Sequence, residues 1–69
     1  MNKSDFTFEP YEVMGYDAEW DTWGFHGSEI YYKGHYIGIL PWIDPADIDE
    51  MDMEELSNYF DEYNIIIND

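Results

Sequence analysis

The sequence predicts a small α+β fold. An antiparallel sheet built on a hairpin at 28–40 packs against one or two acidic C-terminal helices, at about 45–51 and 53–63. Three observations lead there. Two β-rich runs flank Lys33-Gly34, a two-residue turn in which glycine supplies a positive φ. Asp44-Pro45 reads as a helix start, with an acceptor side chain at the cap and proline at the first helical position. Three Trp, seven Tyr and four Phe supply a core to a chain whose size hides only about 60% of its extended surface. A length of 69 residues makes one domain, 1–69, and the aromatic content argues against disorder.

Taken in order, residues 1–5 read as a loose start. Phe6–Glu9 alternates apolar and polar like a half-buried strand, and Pro10 restricts it to a sheet edge or ends it. Tyr11–Met14 resumes the pattern before Gly15 breaks it. Between 16 and 25, the spacing of Trp20 and Trp23 suits a helical turn or irregular loop better than a strand. Their rings either cap one end of the core, the favoured reading, or serve as contact anchors. Pairing across Lys33-Gly34 sets Tyr32 against His35, Ile30 against Ile37 and Ser28 against Ile39, on the face expected to meet the core. Tyr31 with Tyr36, Glu29 with Gly38 and Gly27 with Leu40 fall on the other face. Gly38 inside a strand signals a bulge or a close approach by another element. A single helix through residue 63 would enclose Asp52 in its apolar stripe, so Asp52 is expected to cap a second helix in a capping box with Glu55. Leu56, Tyr59, Phe60 and Tyr63 then form the buried stripe, with Glu54, Asn58, Asp61 and Glu62 outward. Ile65-Ile66-Ile67 is β-prone and is expected to add a last strand.

The charge narrows the function. Seventeen acids face only Lys3 and Lys33, a net charge of −15. Nine carboxylates lie between Asp44 and Glu62 without one Lys or Arg. On helices rising about 1.5 Å per residue, that is about one charge per 3 Å, close to the ~3.4 Å axial spacing of phosphates along one DNA strand. With no basic patch, direct binding to nucleic acid or an anionic membrane is not expected, and a basic protein is the natural partner. The candidate partner-binding residues are Asp44, Asp47, Asp49, Glu50, Glu54, Asp61 and Glu62 of the helical stretch. Asp17, Glu19, Trp20 and Asp21, and the hairpin residues Tyr31 and Tyr36, join them. The plainer reading is a solvated acidic face that confers solubility.

Catalytic and metal motifs are missing. There is no cysteine, no phosphate-binding glycine loop and no nucleophile elbow. His26 and His35 lack the spacing of a helical metal pair. A calcium loop begun at Asp47 would put Asp52 where glycine is needed and Asn58 where the bidentate Glu belongs. Neither an enzyme nor a bound cofactor or metal is expected. The N-terminus has no apolar signal region and no apolar run is long enough to cross a bilayer, so a soluble cytoplasmic protein is expected.

The charge balance and the stretch DPADIDEMDMEELSNYFDE resemble those of small phage-encoded inhibitors that imitate DNA, a class with members among anti-CRISPR proteins, antirestriction proteins and inhibitors of uracil-DNA glycosylase. The resemblance carries no family motif and transfers no functional residue. It implies an inhibitor that occupies the basic DNA-binding site of a host-defence enzyme, in the cytoplasm of an infected cell, with an RNA-guided nuclease as the favoured target. The competing class is an acidic accessory or neutralising protein whose basic partner has nothing to do with nucleic acid.

Overall fold

The computed structural model describes residues 2–67. After a short 3-10 turn at Lys3–Asp5 come β1 (Phe6–Asp17), β2 (Thr22–Tyr32) and β3 (His35–Pro41), then α1 (Pro45–Asp49) and α2 (Met53–Glu62). The strands form an antiparallel meander, β1-β2-β3, and the expected α+β architecture is observed.

The hairpin turn forms where the sequence places it. Lys33 and Gly34 both have positive φ, 50° and 85°, the geometry whose twist matches the flanking strands. Tyr32 pairs with His35 and Tyr31 with Tyr36 as expected, but the register then slips by one residue, so Ile30 meets Gly38 and Ser28 meets Leu40. The expected pairs Ile30–Ile37, Ser28–Ile39, Glu29–Gly38 and Gly27–Leu40 are therefore replaced, Glu29 meeting Ile39 and Gly27 meeting Pro41. The slip turns Leu40, rather than Ile39, into the core, where it is fully buried. Gly38 lies just past this irregularity, and a Cβ there would stand 2.6 Å from Ile65 Cδ1.

β1 is longer than the sequence suggests. It runs through Pro10 and Gly15 because β1 is an edge strand, where a missing amide donor is tolerated. A bulge between Val13 and Tyr16 absorbs the irregular stretch. Trp23 lies in β2, against the expectation of a helical turn or loop for both tryptophans, whereas Trp20 belongs to the 18–21 turn.

One face of the sheet carries the core. Phe6, Ile30, Tyr32 and Leu40 pack there with Ile48 of α1 and with Leu56 and Phe60 of α2, and the Phe6 ring lies 4.9 Å from Tyr32 and 5.3 Å from Phe60. The two helices separate as the acid pattern requires. Asp52 Oδ1 accepts the Glu55 amide at 2.8 Å, capping α2. The buried stripe is narrower than expected, since Tyr59 is half-buried and Tyr63 exposed.

Of the expected loose start at 1–5, the described residues 2–5 are tied down, Met1 lying outside the described residues. Lys3 Nζ donates to the carbonyls of Ile48, Asp49 and Met51 at 2.7, 3.1 and 2.6 Å, supplying positive charge where α1 ends. At the other end, Ile65–Ile67 forms no strand. Asn64 adopts a positive φ of 56°. The Ile65 and Asn64 amides donate to Phe60 and Asp61 carbonyls at 2.8 and 3.3 Å, which closes α2 in a Schellman motif. The reversal lays Ile65 over Gly38 as a side-chain contact, leaving Ile66 71% exposed. No helix among the described residues is long and apolar enough to cross a membrane.

Candidate partner-binding surfaces

The sequence-derived site residues divide between opposite faces of the sheet. Asp44, Asp47, Asp49, Glu50, Glu54, Asp61 and Glu62 are all exposed and follow α1, α2 and their flanks. Because Ile48, Leu56 and Phe60 hold these helices to the core, their acidic positions form an outward ridge. Two of the acids also have local partners. Asp44 Oδ1 lies 2.9 Å from His26 Nδ1, joining α1 to β2, and Asp47 Oδ2 accepts the Asp44 amide at 3.4 Å.

On α2, Glu54 and Asp61 lie seven residues apart, as do Glu55 and Glu62. Each pair spans about 10.5 Å along the axis, against about 10.2 Å for three phosphate steps. Glu55 and Glu62 also line a shallow groove of about 300 Å³ with Asn58 and Tyr59. Glu55, assigned only a capping role from the sequence, thus belongs to the ridge. Its spacing from Glu62 was the available signal.

Of the second group, Trp20, Tyr31 and Tyr36 lie on the face of the sheet away from the helices. Along β2, Phe25, Gly27, Glu29 and Tyr31 alternate with the core residues Ser28, Ile30 and Tyr32. Pairing sets Tyr11, Glu9 and Thr7 of β1 beside them, with Tyr36 and Ile39 of β3 on the other flank. The 18–21 turn folds back over this face. Trp20 stacks on Phe25 at 5.0 Å and 11°, while Tyr11 and Trp42 meet the same ring edge-on at 5.8 and 5.0 Å. Phe25 is left 2% exposed in a small aromatic layer of its own. Trp20 therefore has a packing role, on the opposite side from the helical core. Trp23, a neighbour of Tyr16 at 5.3 Å, is 82% exposed.

Tyr31 and Tyr36 meet edge to face at 5.7 Å, with Tyr36 56% exposed. Burial, and then the charges of Glu29 and Glu19, push the Tyr36 hydroxyl above its ordinary pKa of 10.0. The charge of Glu19, in the folded-back turn, thus acts on Tyr36.

The other two acids of this segment serve the turn itself. Asp17 is buried and accepts the amides of Glu19 and Trp20 at 2.9 and 3.3 Å. Asp21 accepts the Tyr16 hydroxyl, which raises the Tyr16 pKa. Among the described residues no group of three or more His, Cys, Asp or Glu side chains is arranged to hold a metal ion. The chain matches no protein-family model, no curated protein sequence and no solved structure.

Proposed function

We propose that this protein inhibits a nucleic-acid-binding host-defence enzyme by presenting the α1–α2 ridge to its basic DNA-binding site in place of DNA. The observation that carries the reading is a run of exposed carboxylates on capped helices, with no Lys or Arg between Asp44 and Glu62 in the sequence and with the seven-residue pairs of α2 spanning about three phosphate steps. A trench of Lys and Arg would meet these carboxylates through charge-assisted bonds. Long-range attraction would make association fast and salt-sensitive. An RNA-guided nuclease is the first target to test, followed by restriction enzymes and base-excision glycosylases.

Reversing Asp47, Glu50, Glu54 and Asp61 together to Lys is expected to abolish inhibition while circular dichroism stays native, because all four are exposed and the one side-chain bond lost among the described residues is the long Asp47 contact to the Asp44 amide. Full inhibition by that variant sinks the reading. Duplex DNA is also expected to displace the unmodified chain from its target.

A second reading has its own support. The aromatic outer face of the sheet has no counterpart in a polynucleotide backbone, and it favours an acidic accessory or neutralising protein for a basic partner unrelated to nucleic acid. Under that reading, duplex DNA does not compete.

A further inference from the structure

In the β1–β2 ladder Glu9 stands directly across from Glu29, on the sheet face away from the helices. Like charges placed so repel each other, and neither carboxylate makes a hydrogen bond or ion pair within the described residues. Both chain lysines are placed elsewhere: Lys3 binds the carbonyls ending α1, and the Lys33 ammonium lies 5.2 Å over the Tyr32 ring. Beside the two glutamates lie half-buried Tyr11 and Tyr31 and exposed Tyr36.

We propose that this outer sheet face docks arginine side chains of a basic protein, each guanidinium lying against the Tyr31–Tyr36 rings and bonding to Glu29 and Glu9. The chemistry selects that occupant. A guanidinium is planar and weakly hydrated, stacks on aromatic rings and bonds carboxylates in a fork, whereas an ammonium is a strongly hydrated point charge. A second copy of this chain would bring another net charge of −15 to the same face. The inference rests on the proposed function only for the partner being a basic protein. It adds a contact surface on the side opposite the acidic ridge.

The test uses the whole chain, isotope-labelled and followed by amide chemical shifts, titrated with a short peptide of alternating Arg and Ser and with its Lys-for-Arg counterpart. The expected result is shifts centred on Glu9, Tyr11, Glu29, Tyr31 and Tyr36, with the Arg peptide bound about two- to fivefold more tightly than the Lys peptide. Tyr36→Ala, at an exposed position, and Glu29→Gln are each expected to remove that preference. Equal binding of the two peptides overturns the proposal, as does self-association through this face on raising the concentration of the chain alone. Shifts confined to Asp47–Glu62 overturn it and leave the proposed function standing. Sheet-face binding of the Arg peptide, together with failure of duplex DNA to compete for a basic enzyme, does the reverse.

Discussion

Glu29 stands between two groups that its charge opposes. It faces Glu9 across the ladder and helps hold the Tyr36 proton. Glu29→Gln is expected to stabilise the chain by about 0.2–1 kcal/mol in urea denaturation, the range for a cross-strand pair. It should also lower the Tyr36 pKa, read from phenolate absorbance. The direction with pH follows from linkage. A tyrosine with a raised pKa holds its proton more tightly in the folded state, so its stabilising contribution is complete below pH 10.0 and is lost as pH rises through the folded value. With a smaller shift, the variant should lose less stability in that alkaline range. A variant less stable than the parent at neutral pH would show that the glutamates do not oppose each other.

At the same scale, the acids near the turn show where sequence reading runs out. Asp17, Glu19 and Asp21 are interchangeable charges in the sequence. In the fold the first is buried against turn amides, the second acts on Tyr36 through its charge and the third receives the Tyr16 hydroxyl. Which carboxylate meets backbone and which meets solvent depends on how the β1 bulge and the turn bend, and no periodicity encodes that bend.

Among the elements, α1 is the one most dependent on a distant residue. It spans only Pro45–Asp49, too short to persist alone, and its last carbonyls are met by Lys3 from the opposite end of the chain. Lys3→Ala is expected to destabilise by about 1–2 kcal/mol, since charge-assisted bonds at a helix terminus are lost together. Urea denaturation of the variant measures this, and an unchanged midpoint would make the lysine bonds dispensable. Caps that lie within a few residues of their helix were legible: Asp44-Pro45 and Asp52 start helices as their sequence contexts indicate. The triple isoleucine was not. Its β propensity is real, but the Schellman closure at Asn64 and the space over Gly38 decide that Ile65 packs by its side chain.

Over the whole molecule, a net charge of −15 acts on a chain of 69 residues. Self-repulsion of this kind is screened by salt with a Debye length of about 10 Å at 0.1 M. The melting temperature is therefore expected to rise as NaCl is added, and a flat or falling trend in a salt titration would contradict it. The same charge marks the two faces differently. The helical face carries the exposed acids of α1 and α2, while the outer sheet face sets carboxylates among aromatic rings.

By itself the sequence determined the α+β class, the Lys33-Gly34 turn, both helix starts and the acidic ridge. Each of these depends on residues close together in the chain, where backbone geometry and charge spacing act directly. Only the tertiary structure decided the register slip before Gly38, the anchoring of Lys3 and the split of the candidate site between opposite faces. Those outcomes depend on which distant segments fill the same space, and packing selects among alternatives that local preferences leave nearly equal.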